Sequence, residues 1–263
     1  MSSKILVIPD VQIKPGIDVS FVYEIGQYLV DKRPEVVVCL GDFFDFPSLS
    51  SYDKGKLSFE GRRLKEDIEA GKAAMELMLR PLRQLQERQQ LNKKKVYRPR
   101  MVFTLGNHEE RLQRLSNEMP ELAGFVSYEL LELEKSGWEV YDFLKPVEIE
   151  GIYFCHYMQN HFTGKPLAGS ALNQLKTVGR SFVVGHKQIL DVAMLPTIDG
   201  DMRIGIVAGA AYPHLESYKG HQGNHHWRGI FLLHNCKNGY GDPCFVSLDY
   251  LKSRYRNSYI SSH

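Results

Sequence analysis

The chain has 263 residues, 43% of them hydrophobic, with 33 basic and 31 acidic side chains and a formal charge of +2 at neutral pH. That length buries a full core, and so small a net charge excludes recruitment to nucleic acid by overall charge alone. Four cysteines without CxxC spacing are too sparse for a disulfide framework, and there is no apolar run of ~18 residues, so a soluble, uncleaved cytoplasmic protein without a membrane partner is expected.

Along the chain, short Val-, Ile- and Phe-rich runs keep ending in polar, chemically capable residues, the pattern of buried strands feeding active-site loops. The run 5–9 ends at Asp10. Residues 19–32 have helical spacing, and the run 36–40 ends at Gly41-Asp42. Residues 61–90 are again helical, with Leu64, Ile68, Met75, Leu79 and Leu82 along one side and Pro81 predicted to kink or end the helix. Between positions 80 and 100 stand eight basic residues and one acid, Glu87, which read first as a solvated helix end and otherwise as a phosphate-tracking patch. The run 101–105 ends at Gly106-Asn107-His108, 152–155 at His156 and 182–184 at Gly185-His186. Runs at 203–207, 229–233 and 244–248 supply further strands, and the polar tail 253–263 is predicted to fray.

Singly, each strand-end residue has a plain explanation as a turn former or a hydrogen-bonded histidine. An ordered series of Asp10, Asp42, Asn107, His156 and His186, each just after a strand, is hard to obtain from turn propensity. A metal site accounts for all five, because Asp and His are common ligands of divalent ions and one carboxylate can bridge two of them.

The segments Asp10-Val11-Gln12, Gly41-Asp42-Phe43-Phe44-Asp45, Gly106-Asn107-His108-Glu109, His156 and Gly185-His186-Lys187-Gln188 resemble, in order, the motifs of calcineurin-like metallophosphoesterases. The resemblance implies an α/β protein, a four-layer α/β/β/α sandwich of two mixed sheets flanked by helices. We take residues 1–263 as one domain with a helical insertion at about 54–100 that could cap the metals. By position, Asp42 would bridge two divalent ions, Asp10 would belong to the first, and Asn107, His156 and His186 would complete the second. His108 would protonate the leaving oxygen or stabilise the phosphoryl charge, Asp45 would orient its ring, and hydroxide on the metal would be the nucleophile.

Two positions depart from the family pattern, since Gln12 and Gln188 stand where DxH and GHxH place histidines. Both fall on the first ion, which makes that site oxygen-rich, with Gln12 and Gln188 as candidate ligands. It suits Mn²⁺ or Mg²⁺ better than Zn²⁺, while the His-rich second site could hold Mn²⁺, Fe²⁺ or Zn²⁺, and manganese-supported activity is expected. The DxQ pattern and residues 45–56 resemble phage-encoded members, which implies work in a host cytoplasm.

Around the site, Arg111 is a candidate phosphate clamp, against a helix salt bridge with Glu109 or Glu110. Tyr212, Tyr218 and Trp227 offer faces for base stacking, against ordinary packing. The expected function is a phosphodiesterase or nuclease acting on DNA, RNA or a nucleotide. The alternatives are a phosphomonoesterase and a degenerate scaffold with a binding role.

Overall fold

The computed structural model describes residues 3–51, 55, 57–216 and 219–260. Tyr52, Asp53, Lys54 and Lys56 of the phage-like segment, Tyr218 and the last three residues of the tail lie outside the described residues. The strands are β1 (Ser3–Ile8), β2 (Val36–Cys39), β3 (Arg100–Thr104), β4 (Glu139–Tyr141), β5 (Val147–Ile149) and β6 (Ile152–Cys155), then β7 (Phe182–Val184), β8 (Leu190–Pro196), β9 (Met202–Ala208), β10 (Gly229–Lys237) and β11 (Tyr240–Ser247). The helices are α1 (Ser20–Lys32), α2 (Leu64–Leu91), α3 (Glu110–Glu118), α4 (Ala171–Val178), the short turn α5 (Gly220–Gly223) and α6 (Leu248–Ile260).

One sheet has the order β11-β10-β1-β2-β3-β4, the other β5-β6-β7-β9-β8. Both are mixed: β1, β2, β3 and β4 run parallel, as do β6, β7 and β9, with antiparallel strands outside them. Because side chains alternate across a strand, Ile5 and Val7 of β1 face inward, where they meet Phe154 and Ile206 of the other sheet, while Leu6 and Ile8 face the helices. Helices α1, α2 and α6 cover the outer face of the first sheet through Ile25, Leu29, Met78 and Leu251. Helix α4 covers the second through Ala171 and Leu175. Two mixed sheets flanked by helices therefore make the four layers expected from the resemblance.

Two expectations need correction. Helix α2 continues through Pro81 and does not end there. A proline inside a helix costs ~3 kcal/mol, but Leu77, Met78, Leu79, Leu82 and Leu85 around it are all buried, at ~1.5–3 kcal/mol each, and their burial wins. The approach of α1 is so close that a Cβ on Gly26 would stand 2.0 Å from the Met78 carbonyl oxygen. Residues 253–260 of the tail, expected to fray, fold into α6. There Leu251 and Tyr255 are buried, and the Tyr255 hydroxyl donates to Asp31 Oδ2 at 2.8 Å.

The α1–α6 contact also buries a carboxyl group. Burial pushes Glu24 from 4.5 up to about 7, against the pull of Lys252 and Arg256. The folded value lies above the unfolded one, so the stabilisation is complete below the unfolded pKa and is lost as pH rises through the folded pKa. Wild type should lose roughly 1–2 kcal/mol from this group between about pH 5 and pH 8. Glu24→Gln should flatten that loss in urea unfolding at the two pH values. An unchanged pH dependence would mean that Glu24 is ionised in the folded protein.

Candidate metal centre

The strand ends expected to deliver ligands converge where the two sheets are laced together. Beyond β1, the Asp10 carbonyl accepts the Ala211 N–H at 2.7 Å, and the Ala210 carbonyl accepts the Gly229 N–H at 2.8 Å, which joins the end of β9 to the first sheet. Asp10 Oδ1 in turn accepts the His186 N–H at 3.0 Å, although 176 residues separate them. Asp42 Oδ1 accepts the His108 N–H at 2.9 Å. These carboxylates lie so close to the opposing loops that a Cβ on Gly106 would stand 2.2 Å from Asp42 Oδ1, and one on Gly185 2.5 Å from Asp10 Oδ1. The glycines of the two motifs are there for that approach. Gln12, Asp42, His186 and Gln188 all have positive φ, between 49° and 66°. Four such non-glycine residues together mark a backbone held in an unfavourable region by its surroundings.

Asn107 Oδ1 lies 2.8 Å from His156 Nε2 and 2.8 Å from His186 Nδ1. His156 Nε2 is also 3.4 Å from Asp42 Oδ2. Its other nitrogen, Nδ1, is 2.8 Å from the Leu40 carbonyl oxygen, which can only accept, so Nδ1 carries a proton and Nε2 is the nitrogen that faces the site. Among the described residues, ligand atoms of Asp42, His156 and His186 all lie within 4.8 Å of one another. On the side of Asp10, Asp10 Oδ2 and Gln12 Oε1 are buried without a hydrogen-bond partner, and Gln12 Nε2 reaches Asp42 Oδ2 at 3.4 Å. Buried polar atoms are seldom left unpaired, and two orphaned oxygens beside a carboxylate fit a cation. Gln188 is placed differently: its Oε1 accepts the Tyr212 hydroxyl at 2.7 Å, and its amide acts on Asp10 in the direction that favours the carboxylate.

The electrostatics follow from burial. Asp10 is pushed up to about 6 by burial and by the Asp42 carboxylate beside it. Asp42 is held well below the usual range: burial would raise it, but the imidazoles of His108 and His156 outweigh that. His156 is raised to about 9, because Asp42 and Asp10 overcome its burial. His186 is lowered to about 4 by burial and by His156.

His108 Nδ1 lies 2.9 Å from Asp45 Oδ1 and 2.7 Å from the Asp45 carbonyl, both acceptors, so a proton sits on Nδ1. Arg111 makes no salt bridge with Glu109 or Glu110. Its Nη1 donates to the carbonyls of Asp45 and Phe46 at 2.7 and 3.1 Å, and its Nη2 lies 3.2 Å from His108 Nε2. The N-terminal end of α2 steadies the same turn, with Asp67 accepting the Ser48 N–H at 3.0 Å and Arg62 donating to the Pro47 carbonyl at 2.9 Å.

Above these residues opens a cleft of ≈ 870 Å³. Arg62 and Arg63 reach it from before α2, Arg111 from α3, and Lys187 and Lys219 from the loops after β7 and β9. The basic tract at 80–100 does not contribute. At ~1.5 Å per residue along α2, Arg88 lies roughly 30 Å from the cleft-lining Asp67. Tyr212 is fully buried, packed against His214 with Arg228 over its ring, so it offers no face to a base.

Sequence reasoning missed Glu109 as a brace. It is fully buried, and its Oε2 accepts the N–H groups of Asp42 and Gly106 at 2.8 and 2.9 Å while Oε1 accepts that of Phe44 at 3.0 Å. Its place in the GNHE segment was the available signal. The ion pairs of Lys14 were missed as well.

Two stacked mixed sheets with an imidazole- and carboxylate-lined candidate cation site at their joined ends fit a metal-dependent hydrolase of phosphate esters. The calcineurin-like phosphoesterase family model matches residues 3–245, and the chain belongs to that family. The Gene 54 proteins of Mycobacterium phages L5 and D29 are 29% and 28% identical to it over 191 residues, which cover 71% of this chain and 69% of each of theirs. The solved structure of YfcE, a phosphoesterase from E. coli, aligns over 93% of this chain and 99% of its own, with 11% identity and a TM-score of 0.38.

The Glu109 brace can be tested directly. In Glu109→Gln, whichever way the amide turns, at least one backbone N–H faces an NH₂ group. The expected loss in urea unfolding is about 1–3 kcal/mol. A variant as stable as wild type would show that the loops hold without it.

Proposed function

We propose that the protein is a two-metal phosphodiesterase acting on nucleic acid or nucleotide in the cytoplasm of a phage-infected host. The observation that carries this reading is the cleft of ≈ 870 Å³ opening on Asp42, Asn107 and His186 with cations from separate segments around it. It has room for groups on both sides of a phosphate, as a diester requires. The phage origin of the Gene 54 proteins supports the setting.

The first ion would be held by Asp10, Gln12 and Asp42, and the second by Asp42, Asn107, His156 and His186. The oxygen donors of the first site favour Mn²⁺. When bound, the ions supply Lewis acidity to the phosphoryl oxygens and lower the pKa of the attacking water. Gln188, fixed by Tyr212, keeps the Asp10 carboxylate oriented.

Arg111 binds a non-bridging oxygen of the substrate. An arriving phosphate gives its Nη2 an anionic oxygen in exchange for His108 Nε2. The imidazole can then carry a proton at Nε2, which the nearby Asp42 and Asp45 carboxylates favour against its burial. Asp45 holds the opposite proton on Nδ1, so Nε2 is the atom that protonates the leaving oxygen.

Metal-stripped protein given Mn²⁺ should hydrolyse bis-p-nitrophenyl phosphate faster than p-nitrophenyl phosphate, and the reverse order would make it a monoesterase. Asp42→Asn should lower turnover at least ~10³-fold and reduce bound metal, since it removes a charged ligand shared by both ions. His108→Ala should lower turnover ~10²–10³-fold with metal content retained. Loss of metal from His108→Ala would recast the residue as a ligand.

A further inference from the structure

Lys14 follows Gln12 by two residues and lies at the rim of the cleft, where neither the motifs nor the ligand set assign it a role. Its Nζ is 2.7 Å from Glu216 Oε1 and 3.4 Å from Asp45 Oδ2. The other oxygen of Asp45 holds His108 Nδ1 at 2.9 Å, and Glu216 Oε1 also lies 2.8 Å from His214 Nε2. Asp45 and Glu216 are 8% and 5% exposed. One ammonium is thus shared by two buried carboxylates, each of which holds an imidazole.

We propose that Lys14 is a positioning residue for His108, acting through Asp45, and that Glu216 sets where Lys14 stands. The inference rests on the reading of His108 as the group that protonates the leaving oxygen. The His108 Nδ1 proton is shared between the Asp45 carbonyl and the Asp45 carboxylate. The carbonyl is fixed by the backbone, whereas the carboxylate can turn about its own bond. Lys14 pins the second oxygen and so keeps the negative charge against the imidazole. Without the ammonium, Asp45 Oδ2 would lose its cationic partner, and the carboxylate would be free to turn off the ring. The arrangement also ties His108 to the cleft-lining segment that carries Glu216 and Lys219, which lies more than 100 residues away in the chain.

The test compares Lys14→Met, Lys14→Arg and the double variant Lys14→Met/Glu216→Gln on two phosphodiesters that differ only in leaving group, methyl p-nitrophenyl phosphate and methyl phenyl phosphate. Phenoxide is the poorer leaving group and depends more on protonation. Lys14→Met should therefore lower kcat on the phenyl ester about tenfold more than on the p-nitrophenyl ester. KM should stay within about twofold and Mn²⁺ content should be unchanged, because the substrate and the ions do not touch Lys14 in this reading. Lys14→Arg should restore the ratio.

The double variant removes both partners of the ion pair, so it keeps the test readable if Lys14→Met alone does not fold, and it should show the same selective loss. Equal losses on the two esters, or recovery in the double variant, would overturn the proposal and leave Lys14 as a neutraliser of Glu216. His108→Ala separates the two levels of the argument. If it shows no leaving-group discrimination, the assignment of His108 fails and this inference with it; if it discriminates and Lys14→Met does not, only the inference fails.

Discussion

The structure depends on holding two carboxylates, Asp10 and Asp42, side by side and out of water at the ends of the neighbouring parallel strands β1 and β2. Like charges in a buried site resist ionising together, which is why Asp10 is raised while Asp42, enclosed by imidazoles, is held ionised. Glu109 is a third buried carboxyl beside them, raised by burial and by Asp42. Such a concentration of negative groups is tolerable where backbone N–H donors, imidazoles and cations converge on it. The left-handed backbone at Gln12, Asp42, His186 and Gln188 is the conformational cost of that convergence.

Helix α2 serves the site at one end only. Its length lies along α1 over the first sheet, in the main core, and its N-terminal residues grip the turn that carries Asp45. Arg111 grips the same turn from α3 through two carbonyls. Orientation of the His108 ring therefore depends on contacts from two helices and from Lys14, none of which touches an expected ligand atom of the metal centre.

Much of this was legible in the sequence for a physical reason. Strands buried on both faces read as continuous apolar runs, so β1, β2, β3, β6 and β7 could be placed within a residue or two, and the residues after them could be named as candidates for one site. Strand β8 was missed because it is half-exposed along most of its length, and β4 and β5 because each is short and carries an exposed residue, unlike the equally short but wholly buried β7. Helix α6 was mistaken for a fraying tail, since its burial rests on few residues, Leu251 and Tyr255 among them. Pro81 misled because the local rule is strong and the opposing term, the packing of α1 on α2, is tertiary. Lys14 and Glu216 stand 202 residues apart, and no local pattern pairs them. Tyr212 looked like a stacking face because aromatic residues in loops often are; its hydroxyl instead fixes Gln188.

The two glutamines that depart from the family pattern are not equivalent in the fold. Gln188 has its amide oxygen on Tyr212 and favours the ionised Asp10 carboxylate, whereas Gln12 keeps an unpartnered oxygen beside Asp42. In the proposed centre, the first ion then meets two carboxylates and one neutral amide oxygen with no imidazole, while the second keeps both His156 and His186. Neutral amide oxygen is a harder donor than imidazole nitrogen, so the two positions would differ in the ion they prefer as well as in how tightly they hold it. Asp42 faces both positions, and a change in either ion's hold on it would be felt at His108, whose N–H it accepts and whose Nε2 lies 3.6 Å from its other oxygen.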